Sequence, residues 1–152
     1  MPRSTRSFLF PDVNVWIALT FRGHIHHAAA RTWLDSVPDD SELCFCRLTQ
    51  LGFLRLLTTA AVMGSKVLSQ AEAWDFYDDW LERGHAAYVE EPPAIELTFR
   101  SLSESRQAAP KDWADSYVSA FAQVSGLRLV TFDQALHRRT AGAVLLKPMP
   151  KM

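Results

Sequence analysis

The stretch that decides the fold is KDWADSYVSAFAQVSGLRLVTFD, which runs from Lys111 to Asp133. Its first half carries apolar residues at the 3.6-residue spacing of a helix, and Pro110 just before it suits a helix start. Gly126 then ends the helix, and the apolar residues 127–131 predict a short buried strand. In open α/β sheets, ligands bind beyond the carboxyl ends of parallel strands, which is where Asp133 falls. This stretch therefore predicts half of a binding site.

A second strand–Asp–helix unit lies near the other end of the chain. Residues 7–10 (SFLF) predict a strand, Asp12 follows Pro11, and an apolar helical run covers residues 13–19. Asp112 and Asp115 are three residues apart and so share one helix face. Carboxylates from distant parts of the chain are thus expected to converge. Such a cluster favours Mg²⁺ or Mn²⁺, which prefer oxygen ligands.

The rest of the chain alternates short strands with helices. Strands are predicted at residues 42–46, 86–89 and 143–146, and helices at residues 26–35, 50–59, 70–82, 95–105 and 134–139. Thr49 is predicted as an N-cap, Ser69 and Glu72 as a capping box, and residues 143–146 as an edge strand. The pattern predicts one domain, residues 1–152, folded as a three-layer α/β/α sandwich with a mostly parallel central sheet.

The composition is that of an ordinary soluble globular protein, with 48% apolar and 22% charged residues. The net charge of −1 gives no global basic field, although local arginines can still bind a phosphate backbone. Cys44 and Cys46 are expected to be buried thiols in a reducing cytoplasm. Neither a signal peptide nor a membrane span is predicted.

Five segments together resemble the PIN-domain ribonucleases, specifically the VapC toxins of type II toxin–antitoxin pairs. They are DVNVWIAL at Asp12, HIHHAAARTWL at His24, LTQLGFLRLLT at Leu48, DSYVSAFA at Asp115 and LVTFD at Leu129. The resemblance implies a metal-dependent endoribonuclease that cuts RNA. It also implies a cognate VapB-like antitoxin, whose tail fills the active site, and assembly as a homodimer.

Carried over residue by residue, the first, third and last family acids fall on Asp12, Asp115 and Asp133, the expected metal ligands. The second family acid, usually a Glu, falls on Gln50, which offers no negative charge and no general base. Asp112 is an extra carboxylate that could partly make up the charge. The expected catalytic set is therefore Asp12, Asp115, Asp133, Gln50 and Asp112.

Simpler interpretations remain open at this stage. Asp12 and Asp133 are also good helix N-caps, and Asp112 could merely complement a helix dipole. Because of Gln50, a PIN domain with weak or lost nuclease activity that serves as a binding partner is the main alternative. A nuclease or phosphatase of similar fold acting on DNA or small phosphate esters is a third.

Several other side chains have two possible roles each. Asn14 and Thr131 could orient the acids or a water, or make ordinary turn hydrogen bonds. Arg55 could contact an RNA phosphate or form a surface ion pair. The histidines His24, His26 and His27 are expected at the surface rather than on zinc. The aromatic stripe of Trp74, Tyr77 and Trp80 could stack bases but is expected to pack in the core or against a partner. The basic patch of His137, Arg138 and Arg139 could touch RNA phosphates or simply flank a helix C-terminus.

Overall fold

The computed structural model describes residues 7–149 and has a central sheet of five strands. The strands are β1 (Phe8–Pro11), β2 (Glu42–Phe45), β3 (Ala86–Tyr88), β4 (Arg128–Thr131) and β5 (Val144–Leu145). Their order is β3-β2-β1-β4-β5, and every neighbouring pair is parallel. The predicted mostly parallel sheet is therefore confirmed and, within the described residues, is wholly parallel, with β5 at an edge as expected.

Eight α-helices connect and cover these strands within residues 7–149. They are α1 (Val13–Thr20), α2 (His27–Ser36), α3 (Arg47–Leu57), α4 (Ala60–Met63), α5 (Gln70–Arg83), α6 (Ile95–Ser103), α7 (Asp112–Ser125) and α8 (Gln134–Arg138). Leu9 of β1 packs into a core that α1, α2, α3 and α5 share, while Phe10 packs into a second core with α6, α7 and α8. The two cores lie on opposite faces of the sheet, which gives the predicted three-layer sandwich.

Aromatic side chains fill much of the first core. The indole of Trp16 stacks on Phe45 with ring centroids 3.8 Å apart, and Trp80 meets Trp16 edge-on at 5.2 Å. Tyr77 contacts Phe45 at 4.9 Å, whereas Trp74 keeps 46% of its surface exposed. Each such pair adds about 0.5–1.5 kcal/mol beyond simple burial. Of the predicted aromatic stripe, two members are therefore core residues and one is available at the surface.

Helix ends show where the local predictions succeeded and where they failed. The capping box of α5 is present, with Ser69 Oγ accepting from Glu72 N–H at 3.1 Å. Gly126 ends α7 in the left-handed conformation, at φ 68°. The predicted N-cap at Thr49 is wrong, because α3 begins at Arg47 and Thr49 Oγ1 instead accepts the Cys46 N–H at 3.0 Å from inside the first turn. Thr49 therefore stabilises this helix start from its third position.

Two further expectations concern the environment of the chain. Cys44 and Cys46 are both buried, as predicted. Across residues 7–149, no helix is both long enough and apolar enough to cross a bilayer.

Candidate active site

Asp12 and Asp133 follow two neighbouring strands, β1 and β4, at the same edge of the sheet. Pro11 pairs with Val130, and the Asp12 N–H donates to the Val130 carbonyl at 2.9 Å. Because both strands end here and run in parallel, their following residues meet where α/β proteins bind ligands. The chain fold thus brings together two acids that are 121 positions apart in the sequence numbering, 12 and 133.

The buried hydroxyl of Thr131 connects these two acids. It donates to Asp12 Oδ2 at 3.2 Å and accepts the Asp133 N–H at 3.0 Å. The other Asp12 oxygen, Oδ1, accepts the Val13 N–H at 2.8 Å. Thr131 and the first turn of α1 therefore fix the orientation of the Asp12 carboxylate.

Asp133 has a second, structural role as the N-cap of α8. Its Oδ1 accepts the Leu136 N–H at 3.0 Å, as the N-cap interpretation predicted. Capping occupies one carboxylate oxygen, and the side chain is exposed. The capping and ligand interpretations are therefore compatible, since Oδ2 remains free of this contact.

Asp115, in the first turn of α7, faces Asp12 across a cleft. Burial raises the pKa of Asp115, and the negative charge of Asp133 raises it further. Burial likewise raises the pKa of Asp12, and the carboxylates of Asp115 and Asp133 add to this, against the hydrogen bonds from Val13 and Thr131. The three acids therefore act on one another electrostatically, which places them in one region of the surface.

The cleft has a volume of about 460 Å³ and lies between the start of α1, the start of α7 and one face of α3. The carboxylates of Asp12 and Asp115 and the neutral amide of Asn14 form its polar wall. The α3 wall consists of residues spaced three or four apart: Leu48, Leu51, Gly52 and Arg55. This wall carries no carboxylate, so the acidic groups come from the sheet edge and α7.

Gln50, which the sequence matched to the second family acid, does not line this cleft. Its Oε1 accepts from the Arg47 guanidinium, and its amide hydrogen-bonds the Tyr77 hydroxyl. Gln50 is only 5% exposed and lies on the core side of α3 with Phe53. Gln50 is therefore not among the residues that line the cleft with Asp12 and Asp115, whereas the next two residues of α3, Leu51 and Gly52, are.

Asp112 is close to the other acids but is already paired. It forms an ion pair with Arg139, and its Oδ2 accepts from Ser116 Oγ at 2.9 Å. Its hydrogen bonds with Arg139 and Ser116 lower the pKa of Asp112. Asp112 therefore serves first to hold the start of α7 in place.

Arg139, the ion-pair partner of Asp112, also contacts two other residues. Besides Asp112, it donates to Ser116 Oγ at 2.7 Å and to the Leu102 carbonyl at 3.1 Å. Its guanidinium thus joins α6 and α7 to the end of α8. This internal role differs from the proposed contact of the basic patch with RNA, and the sequence offered no signal for a partner 27 residues away.

The three histidines of the α1–α2 connection have contacts of their own. His24 Nδ1 accepts the His26 N–H at 3.0 Å, and His27 Nδ1 donates to the Ala18 carbonyl at 2.7 Å. The His26 ring stacks on Phe132 with centroids 4.8 Å apart. The three rings are half-buried and take part in these contacts.

The ligand type of these acids suits a hard divalent cation, but the acids do not surround a single ion completely. All the candidate ligands are carboxylate oxygens, the type that Mg²⁺ and Mn²⁺ prefer. In the described part of the chain, however, no three Asp, Glu, His or Cys side chains lie close enough to surround one ion. Mg²⁺ commonly uses one or two carboxylates and keeps several waters, which suits such an open arrangement.

Comparisons with known proteins agree with this fold. The PIN domain family model matches residues 9–142. Ribonuclease VapC41 of Mycobacterium tuberculosis is 40% identical over 131 residues, which cover 84% of this chain and 90% of that protein.

Two solved structures share the fold at low sequence identity. The crystal structure of Mycobacterium tuberculosis VapC20, described as a sarcin-ricin loop cleaving toxin, has a TM-score of 0.64 at 15% identity and covers 93% of this chain and 100% of its own. VapBC2 from Rickettsia felis, bound to a DNA fragment from its promoter, has a TM-score of 0.63 at 10% identity and covers 92% of this chain and 99% of its own. Since the family model spans nearly the whole chain and a relative shares two residues in five with it, this chain belongs to the PIN-domain family and is similar to its VapC ribonucleases.

Proposed function

We propose that this protein is a metal-dependent endoribonuclease and the toxin of a type II, VapBC-like toxin–antitoxin pair. The observation that carries the proposal is the convergence of three acids: Asp12 and Asp115 line one cleft, and the Thr131 hydroxyl hydrogen-bonds both the Asp12 carboxylate and the Asp133 N–H. Its support from outside the chain is the 40% identity to a ribonuclease of the VapC group. We further propose that the protein acts in the cytoplasm, where its RNA substrate is found. A single domain over residues 1–152 is likewise a proposal, supported by the family model over residues 9–142.

In this proposal Asp12, Asp115 and Asp133 hold Mg²⁺ or Mn²⁺ together with bound waters, which complete the open coordination. Like-charged carboxylates packed together are unfavourable unless a cation neutralises them, which is why this cluster favours an ion. A bound divalent cation stabilises negative charge on the phosphoryl oxygens and lowers the pKa of the attacking water. Thr131 and the Val13 N–H hold the Asp12 carboxylate in one orientation. The Asp12 side chain therefore loses less conformational entropy when the ion binds.

The direct test is cleavage of RNA by wild type and by Asp115→Asn in Mg²⁺ or Mn²⁺. We expect the variant to lose at least about a hundredfold in rate, the scale of loss when one group that stabilises the transition state is removed. Asp75→Asn, an exposed acid on α5, is the matched control and should cleave like wild type. Parallel assays with DNA and a small phosphate ester separate an RNA-cleaving enzyme from the third alternative.

A groove beside the cleft supports an antitoxin as partner. Leu51 is 57% exposed and Trp74 46% exposed, and with Arg55 they line a depression between α3 and α5 that adjoins the acidic cleft. Exposed apolar side chains grouped in this way are typical of protein interaction sites. An apolar antitoxin segment lying here would reach the acids at its end, and co-purification after co-expression with a candidate VapB-like antitoxin tests the pairing.

A homodimer is the expected assembly of the toxin. The family resemblance is its only support, so the test is direct measurement of the mass in solution by light scattering. A mass of about twice the 17.2 kDa chain supports the dimer, and a single-chain mass contradicts it.

One observation favours the second candidate, a PIN domain with weak or lost nuclease activity. The α3 wall of the cleft has Gly52 and Arg55 but no carboxylate, so the site has fewer acids than the family resemblance implies. Under this candidate the wild type would bind an antitoxin yet neither retain Mn²⁺ nor cut RNA. The cleavage assay described above therefore decides between the two.

A further inference from the structure

The negative charges of the acidic cleft repel the phosphates of any RNA substrate. Three carboxylates gather at the sheet edge, and each phosphodiester of RNA adds another negative charge. A divalent cation offsets only two of these charges. Fixed positive side chains at the cleft are therefore needed to hold the phosphates that flank the reacting one.

Two other arginines of the surrounding elements, one in α3 and one at the end of α8, are already engaged. Arg139 pairs with Asp112 and donates to Ser116. Arg47 donates to Gln50 and lies over the Tyr88 ring, 4.7 Å from its centroid. Neither guanidinium can turn to a phosphate without giving up these contacts.

Arg55 differs from both. It is exposed, it lines the cleft that contains Asp12 and Asp115, and no carboxylate within residues 7–149 forms an ion pair with it. Its backbone is held firmly, since its carbonyl accepts the Thr59 hydroxyl at 2.6 Å and the Thr58 hydroxyl at 3.0 Å. A cation on a fixed helix end, facing a cleft and lacking an acidic partner, is suited to an external anion.

We infer that Arg55 is an RNA-positioning residue that binds a phosphate flanking the scissile one. The inference rests on the proposed nuclease function. The planar guanidinium can donate two parallel hydrogen bonds to phosphate oxygens, a geometry that lysine cannot reproduce.

A flanking phosphate, rather than the reacting one, follows from where Arg55 stands relative to the acids. Arg55 lies in the last turn of α3, on the cleft wall that carries no acid, whereas Asp12 and Asp115 line the same cleft from the starts of α1 and α7. A phosphate reacting at the acids would therefore leave a neighbouring phosphate of the strand within reach of Arg55. An interaction made equally before and during the reaction strengthens substrate binding without changing the rate of the bound complex.

The test compares Arg55→Gln, Arg55→Lys and wild type in cleavage of a short single-stranded RNA. The control is Arg83→Gln, an exposed arginine of α5 that pairs with Asp79. We expect Arg55→Gln to raise KM roughly tenfold with kcat within about twofold, and Arg55→Lys to lie in between. Arg83→Gln should match wild type, and the melting temperatures of all four proteins should agree.

A second readout does not depend on cleavage. In an Asp12→Asn background that binds but does not cut, fluorescence anisotropy measures RNA affinity across salt concentrations. Loss of one phosphate contact should reduce the slope of log K against log salt by about 0.7, the value per phosphate for single strands.

Each outcome bears on the inference. Equal KM values and equal salt slopes for wild type and Arg55→Gln, in a wild type that cuts RNA, would overturn it and leave the nuclease function intact. Loss of antitoxin affinity in Arg55→Gln with unchanged RNA affinity would also overturn it, because Arg55 would then belong to the protein interface. A wild type that neither binds nor cuts RNA would overturn the nuclease function and this inference together.

Discussion

Replacing Gly52 by Ala tests how closely α3 packs against the start of α1. A Cβ added at Gly52 would lie 2.7 Å from Val13 Cγ2 and 3.1 Å from Val13 Cγ1, closer than carbon atoms normally approach. Val13 follows Asp12 directly and donates its N–H to the Asp12 carboxylate. The substitution therefore displaces Val13 and, through it, the turn that orients Asp12, a proposed metal ligand.

Two opposing effects set the size of the change. Alanine is favoured over glycine inside a helix by about 1 kcal/mol. Overpacking by a methyl group against Val13 costs about 1–3 kcal/mol. We therefore expect Gly52→Ala to lower the free energy of unfolding by about 0–2 kcal/mol in the wild-type background.

A double-mutant cycle separates the two effects. Val13→Ala removes both methyl groups that clash, so in that background Gly52→Ala should raise the free energy of unfolding by about 1 kcal/mol. The coupling between the sites should then be about 1–3 kcal/mol. Urea denaturation of the four proteins measures it, and 1 kcal/mol also corresponds to about 2–4 °C in Tm for a chain of this size. A Gly52→Ala effect that is the same in both backgrounds would refute the close packing of these helices.

Three further predictions concern other side chains. Arg139→Met removes the hydrogen bonds that join α8 to α6 and α7, and should lower the free energy of unfolding by about 2 kcal/mol, whereas its exposed neighbour Arg138→Met should change it little in thermal denaturation. In metal-free protein, the raised pKa values of Asp12 and Asp115 mean that the folded state keeps protons which the unfolded state releases, so stability should fall as pH rises from about 4 through those raised values. Asp12→Asn should weaken this dependence, and a metal-free stability that rises over the same range would contradict it. Burial raises the pKa of the Cys46 thiol, so a thiol reagent should modify it at the rate of unfolding rather than at the rate of an exposed cysteine.

The positions of Asp12 and Asp133 at the sheet edge were predictable from the sequence immediately around each residue. Asp12 and Asp133 each follow a short apolar strand and precede a helical run, and parallel strands place such residues at one edge. The N-cap interpretation of both was also correct, as each carboxylate accepts a backbone N–H of the following helix. Their structural and proposed ligand roles coexist.

Gln50 shows where a motif match and helix periodicity disagree. The match aligned Gln50 with a family acid, but its spacing of three and seven residues from Phe53 and Leu57 assigns it to the buried face of α3. Periodicity alone would have directed attention to Gly52 and Arg55, on the opposite face. Apolar residues on both faces of α3 obscure this periodicity, since Leu51 is apolar yet 57% exposed.

The pairing of Arg139 with Asp112 could not be predicted from sequence. Both residues had local explanations, one as a cation near a helix C-terminus and the other as an acid near a helix N-terminus. Only the packing of α8 beside α6 and α7 brings them together. The short helix α4 was missed for a different reason, because its four residues are too few for a periodic pattern.

The measurement that tests the central claim most directly is calorimetric titration of Mn²⁺ into wild type and Asp12→Asn, with RNA cleavage assayed on the same samples. Asp75→Asn serves as the control for loss of one exposed negative charge. The account predicts that wild type and the control bind Mn²⁺ and cut RNA, and that Asp12→Asn does neither. Cleavage that persists in Asp12→Asn, or a wild type that binds no Mn²⁺ and leaves RNA intact, would contradict it.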